Sequence, residues 1–155
     1  MRLLLDTMIV SALCTPRDPS HGEISGWLRL LAQDSTEELT VMLPEIVDYE
    51  VRRGLLHVAR RHGRSTTRNL QRLDELTRVC EYCPIETPVM RRAAELWAEA
   101  RVRGEPTDHE EGLDGDVILA AQAQAVGGIV VTENVRHLGR YVEAKSWRDV
   151  GPRED

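Results

Sequence analysis

Three short apolar runs, Leu3-Leu4-Leu5, Thr40-Val-Met-Leu43 and Gly128-Ile-Val-Val-Thr132, carry no charge and no alternation of polar with apolar residues. Each therefore reads as a strand buried on both faces, the kind found in the middle of a parallel sheet. Parallel neighbours need crossover connections of a dozen residues or more, usually helical. The sequence supplies them, with helical patterns over residues 20–32, 44–61, 65–77, 88–103 and 115–126. Pro44 and Pro88 stand where proline favours a helix start, and Gly63, Gly104 and Gly127 stand where helices commonly stop. Residues 79–85 read as a weaker fourth strand and residues 144–149 as an edge strand. The alternation of strands with helices predicts a three-layer α/β/α sandwich with a mainly parallel sheet of four or five strands, in one domain over residues 1–150 with a short tail at 151–155. Ligands of such sheets gather at the carboxyl ends of the strands.

Composition narrows the class. With 41% hydrophobic and 30% charged residues the chain is neither disordered nor fibrous, and no long uncharged apolar run exists to span a membrane. The opening Met1-Arg-Leu-Leu-Leu-Asp6 places a carboxylate where an export signal needs unbroken apolar residues, so a cytoplasmic location is expected. Cys14, Cys80 and Cys83 are too few to form a disulfide framework, and reduced thiols are expected. Cys80-Glu-Tyr-Cys83 has zinc-like spacing without a second ligand pair, which favours buried, inert thiols.

The formal net charge of -6 and the 4% of aromatic residues both argue, on average, against nucleic acid. The arrangement of charge is two-sided, however. Arg52, Arg53, Arg60, Arg61, Arg64, Arg68, Arg72 and Arg78 fall in one stretch whose only acids are Asp74 and Glu75. Glu105, Asp108, Glu110, Glu111, Asp114 and Asp116 crowd a stretch without Lys or Arg, self-repelling unless solvated or neutralised by cations. The arginines suit phosphate, and Arg53, Arg60, Arg64 and Arg68 recur with His57 at nearly helical spacing. A solvated helix face or a groove for an acidic peptide would have the same pattern.

Asp6 ends the first strand, so the topology puts its carboxylate at the sheet's carboxyl edge. Glu50 lies about two turns into the helix after the second strand, on the side opposite a run of Arg, where it can lean over the same edge. Asp114 and Asp116 flank Gly115 at the expected start of an apolar helix, where helix capping alone would explain them. Three carboxylates converging on one edge would push one another toward protonation unless divalent cations neutralise them, and all-oxygen ligation suits Mg²⁺ or Mn²⁺. Thr132 and Asn134, after the third apolar run, can add an oxygen or hold a water.

The segments Leu3-Leu-Leu-Asp6-Thr7, Pro44-Glu-Ile-Val-Asp-Tyr-Glu50-Val-Arg-Arg-Gly54, Asp116-Val-Ile-Leu-Ala-Ala121 and Val131-Thr-Glu-Asn134 resemble, in this order, the four signature segments of PIN-domain ribonucleases, especially the VapC-type toxins. The stretch Cys83-Pro-Ile-Glu-Thr-Pro-Val-Met-Arg-Arg-Ala-Ala-Glu-Leu-Trp97 is similar to the family's strand-to-helix segment, so the likeness runs nearly end to end. By that resemblance Asp6, Glu50 and Asp116 take the three near-invariant acidic positions. Asn134 falls where a fourth acidic or amide residue is usual, and Asp114 is an extra carboxylate; both are further candidate donors. The resemblance implies an endoribonuclease with one or two Mg²⁺ or Mn²⁺ ions, which polarise a phosphodiester, activate a water and stabilise the leaving oxygen. It implies Asp6 and Asp116 as direct ligands, Glu50 as a ligand directly or through water, and Thr7 and Thr132 as supporting hydroxyls. Arg52, Arg53, Arg60, Arg61, Arg64 and Arg68 are then candidate RNA contacts. Products with a 5′-phosphate and a 3′-hydroxyl, a homodimer, a small antitoxin partner and DNA contact only through that antitoxin are implied in the same way.

The sequence departs from the family pattern after Asn134. An acid followed by Phe is common there, whereas this chain runs Val-Arg-His137-Leu138. A non-catalytic PIN-like module that binds RNA or protein is therefore the alternative. A phosphohydrolase with a strand-end Asp nucleophile would want D-x-D, and Met8 stands at the second position. No H-E-x-x-H, G-x-S-x-G or Walker-type loop is present, and Lys145 is the one lysine. Trp27, Trp97 and Trp147 sit in apolar patterns that suit a core or an interface rather than base stacking.

Overall fold

Leu3, Leu4 and Leu5 are wholly shielded from solvent and form the central strand of a parallel sheet. The computed structural model of the chain describes residues 1–33, 38–104 and 110–151. Among these residues the order is β1 (Arg2–Leu5), α1 (Thr7–Cys14), α2 (His21–Gln33), β2 (Thr40–Pro44), α3 (Glu45–His62), α4 (Thr67–Val79), β3 (Glu81–Cys83), α5 (Thr87–Val102), α6 (Glu110–Val126), β4 (Ile129–Val131), α7 (Val135–Leu138), β5 (Ala144–Lys145) and a 3₁₀ turn at Trp147–Asp149. The sheet runs β3-β2-β1-β4-β5, and every adjacent pair is parallel. The expected α/β architecture is therefore present, with five strands.

The register fixes the geometry of the carboxyl edge. Leu4 lies beside Met42 on one side and Val130 on the other, and Leu5 beside Val131. The chain builds outward from β1 through β2 to β3, then returns to add β4 and β5 on the other side. The strand order thus reverses between β1 and β4, and such a switch point opens a crevice at the strands' carboxyl ends. Each fully buried leucine of β1 contributes about 2 kcal/mol of transfer free energy, so this point is held firmly.

Helix α6 lies between two hydrophobic clusters. Leu119 and Ala123 pack into the main core with the sheet, and Val117, Ala120 and Ala121 pack with Val89, Ala93 and Leu96 of α5 in the second. A helix apolar on both sides is a buried helix, which makes α6 a rigid carrier for whatever it bears. Its buried Gln122 ties it to the sheet, with Nε2 donating to the Cys83 carbonyl at 2.7 Å.

Pro88 opens α5 in its first turn, and Gly63, Gly104 and Gly127 all adopt the left-handed conformation (φ 61–63°) that ends a helix cheaply. Three expectations shift. The 79–85 strand is only Glu81–Cys83, because α4 continues through Val79. The 144–149 strand is only Ala144–Lys145, because the Ser146 hydroxyl accepts from the Arg148 amide and turns the chain into the 3₁₀ segment. Helix α6 starts at Glu110 rather than at residue 115. Trp27 and Trp147 meet in the core with centroids 6.2 Å apart. All three cysteines are free and buried. Among the described residues no helix is long and apolar enough to cross a membrane. The acidic positions Glu105 and Asp108 and the end of the tail, residues 152–155, lie outside the described residues, as do the side chains of Glu110 and Glu111.

Candidate active site

Asp6 follows β1 directly and caps α1, its Oδ1 accepting from the Ile9 amide at 3.0 Å. Its own amide donates to the Val131 carbonyl at 3.1 Å, across the switch point. Only 6% of the residue is exposed. Burial pushes its carboxyl above the ordinary value of 3.8; the Thr132 hydroxyl and the Ile9 and Met8 amides pull it back, and the charge of Asp116 adds to the rise. Thr132, wholly buried at the end of β4, also accepts from the Asn134 amide at 2.9 Å. A single hydroxyl thus links the first carboxylate to the segment after β4.

Glu50 arrives from α3. Thr7, the residue after Asp6, donates its hydroxyl to Glu50 Oε2 at 3.0 Å. Burial again raises the carboxyl, the Thr7 bond and the charge of Arg53 lower it, and Asp116 raises it. Arg53, expected on the far side of the helix, is therefore close enough to act on Glu50; three residues along, it shares a helix face. The other Glu50 oxygen lies against α6 at Gly115, where any Cβ would overlap it.

Asp116 stands more than a turn inside α6. A carboxylate there caps nothing, so the capping explanation offered by the sequence does not apply to it. Its Oδ2 is 2.6 Å from His137 Nε2, and each of the two side chains is a little over a quarter exposed. A carboxylate presents only acceptors, so Nε2 is the donor. Burial raises the Asp116 carboxyl, and the His137 hydrogen bond and charge oppose the rise.

These groups line one cleft of about 410 Å³ with Thr7, Asn134 and an apolar floor that includes Ile46, Val47 and Leu119. Among the described residues no three His, Cys, Asp or Glu side chains are drawn together tightly enough to grip an ion as they stand. Each carboxylate is instead held by its own donor: Asp6 by Thr132 and Ile9, Glu50 by Thr7, Asp116 by His137. Three oxygen acids raised by burial, Asp6 and Glu50 also by the charge of Asp116, form a donor set that suits a hard divalent cation, which would relieve both penalties. The Glu50 carboxylate already fills the cradle that Gly115 leaves open.

The remaining sequence candidates separate. Asn134 lines the cleft as an exposed residue. Asp114 does not: two residues before Asp116 on the helix, it opens onto a different groove with Met90, Trp97 and Ile118. Arg52 spends its guanidinium on Asp48 and Asp74, each at 2.9 Å, and Asp48 also accepts from the Tyr82 hydroxyl. Arg53, Arg60, Arg61, Arg64 and Arg68 are exposed, and Arg53 stacks on Tyr49, the exposed neighbour of Glu50. Two participants are less visible in the sequence. Gly115 reads as a helix-start residue and turns out to make room for Glu50. His137 reads as a departure from a pattern, and the signal that marks it is its position three residues after Asn134, on the one-turn helix α7 beside the cleft.

A family model described as PIN domain matches residues 3–142. No curated protein matches the chain. Among solved structures, the chain is similar to VapBC2 from Rickettsia felis bound to a DNA fragment from its promoter, at 21% identity and a TM-score of 0.72 over 95% of this chain and 99% of that one. It is similar to DNA-bound VapBC from Salmonella typhimurium at 20% identity and a TM-score of 0.66, over 95% and 98% of the two chains. It is also similar to VapC20 from Mycobacterium tuberculosis, described as a Sarcin-Ricin loop cleaving toxin, at 19% identity and a TM-score of 0.61 over 91% and 97%. At these identities the likeness is one of fold.

Proposed function

Since this chain belongs to the PIN domain family, we propose that it is a Mg²⁺- or Mn²⁺-dependent endoribonuclease and the toxin half of a toxin–antitoxin pair. The carboxylates of Asp6, Glu50 and Asp116, delivered by the end of β1, by α3 and by α6 to one cleft at the switch point, are the observation that supports this reading. Asp6 and Asp116 would hold the ion directly and Glu50 directly or through water, with Asn134 at the mouth of the cleft as a further oxygen donor. A bound divalent ion supplies charge neutralisation at the phosphodiester and lowers the pKa of a water.

The chain's own groups do the rest. Thr7 and Thr132 orient two of the carboxylates by hydrogen bonds. Glu50 lies beside Arg53, so a polyanion drawn to the exposed arginines of α3 and α4 is brought to the cleft's edge. The apolar floor of Ile46, Val47 and Leu119 limits water around the carboxylates. No side-chain nucleophile is needed. The relatives described as VapBC structures, two of them bound to DNA, support an antitoxin as partner, with DNA reached through it; a homodimer belongs to the same proposal only by the family resemblance.

The test is incubation of the purified chain with mixed RNA and Mn²⁺ or Mg²⁺, alongside EDTA and an Asp6→Asn variant. Cleavage that requires both the metal and Asp6 is expected. Metal-independent binding with RNA intact in every lane would replace the nuclease with a binding module. Turnover of small phosphate esters with covalent labelling of Asp6 would replace it with a phosphohydrolase.

A further inference from the structure

We propose that His137 is the positioning residue for Asp116: its imidazole Nε2–H holds one carboxylate oxygen, which would leave the other free for a divalent ion that Asp6 and Glu50 would also hold. This inference rests on the metal-dependent reading of the same cleft. It goes beyond that reading by assigning work to a residue at which the sequence departs from the family.

Three observations lead to it. The first is the contact itself, a close hydrogen bond of 2.6 Å between Nε2 and Oδ2. The second is the pattern it completes. Asp6 has the Thr132 hydroxyl and Glu50 has the Thr7 hydroxyl; without His137, Asp116 would be the one acid of the three lacking a side-chain donor. The third is the placement of the ring. Helix α7 is a single turn anchored by the buried Leu138, and the His137 ring meets Tyr141 edge-on at 6.4 Å, so the imidazole is braced from behind while its Nε2 faces the cleft. Since Asp116 sits on the buried helix α6 and His137 on a different segment, their bond spans the site.

A donor in this place has a chemical consequence that an acid would not have. It orients Asp116 without adding a fourth negative charge to a cleft where Asp116 already raises the carboxyls of Asp6 and Glu50. Hydrogen-bonding partners of ligating groups commonly carry a 10–100-fold share of metal affinity, and His137 is placed to carry such a share here.

The experiment is calorimetric titration of the full chain with Mn²⁺ and with Mg²⁺, for wild type and for His137→Ala, His137→Gln and His137→Asp, each checked for an unchanged circular-dichroism spectrum. His137→Ala should weaken both ions by about 10-fold or more and to a similar degree. His137→Gln, whose amide can donate to Asp116, should recover most of the loss. His137→Asp, which can only accept, should bind no better than His137→Ala. Equal affinity of wild type and His137→Ala overturns the assignment while leaving the metal site standing. A loss confined to Mn²⁺, or affinity restored by His137→Asp, overturns it by making residue 137 a direct ligand. A wild-type chain that binds neither ion overturns the parent reading and this one together.

Discussion

The carboxylate of Glu50 occupies the space that a side chain on residue 115 would need, so it lies against α6 only because Gly115 has no Cβ. The overlapping atom is the far end of a flexible side chain, which can swing away at little cost. Gly115→Ala should therefore keep its stability or gain a few tenths of a kcal/mol to about 1 kcal/mol from better helix propensity. Glu50, however, is expelled from the cleft, and RNA cleavage should fall by about 10-fold or more, since small misplacements of reacting groups are costly. A melting curve paired with a cleavage assay reads both effects. A variant that is both stable and fully active would show that Glu50 works from elsewhere.

The three acids weaken the metal-free fold, and the sign of the effect follows from their shifts. Asp6, Glu50 and Asp116 all have carboxyls raised above their ordinary values of 3.8, 4.5 and 3.8. The native state therefore holds protons that the unfolded chain has already released, and stability falls as pH rises from about 4 through the raised values. Asp6→Asn should raise the metal-free Tm by about 3 °C, corresponding to about 1 kcal/mol. The gap between variant and wild type should shrink as pH is lowered toward 4. Saturating Mn²⁺ should raise the Tm of wild type and leave that of Asp6→Asn nearly unmoved. A wild-type protein whose Tm ignores both pH in this window and Mn²⁺ would contradict the account.

Strands β1, β2 and β4 are legible in the sequence because burial on both faces demands unbroken apolar runs, and Asp6 is legible because a charge ends the first of them. Helix α1 has no delimited signal of its own: Ile9, Val10, Ala12, Leu13 and Cys14 are all buried, so almost every side faces the core and no 3.6-residue period emerges. By position at an expected helix start Asp114 and Asp116 look equivalent in the sequence, and only the family resemblance tells them apart. Their physical difference emerges once the start of α6 is known, because two residues apart on a helix point about 200° apart. His137 is hard to read for another reason: its role depends on a partner 21 positions away, brought close by the return from α6 through β4.

Neighbouring arginines on α3 should behave oppositely. Arg52 bridges Asp48 and Asp74, so Arg52→Ala should cost about 1 kcal/mol of stability with little effect on RNA affinity. Arg53 is exposed and stacks on Tyr49 beside Glu50. Arg53→Ala should leave Tm unchanged, raise KM for RNA, and lower the slope of log affinity against log salt by about 0.7, one phosphate contact's worth on a single strand. Filter binding at several salt concentrations separates the two. Identical slopes for wild type and Arg53→Ala would remove Arg53 from the RNA path.

Cys80 and Cys83 have the spacing of a metal or redox pair, yet burial raises both thiols, Cys80 to about 11, and Cys14 likewise to about 11. At neutral pH the thiolate, which is the reactive form, is then less than about one part in a thousand at Cys14 and Cys80. A disulfide-exchange reagent at pH 7.5 should modify the native protein only as fast as the fold opens, and all three thiols within seconds once urea unfolds it. Zn²⁺ at micromolar levels should bind no differently to wild type and to a Cys80→Ala, Cys83→Ala double variant. Rapid labelling of the folded chain, or zinc affinity lost with the pair, would restore a working role to the two cysteines.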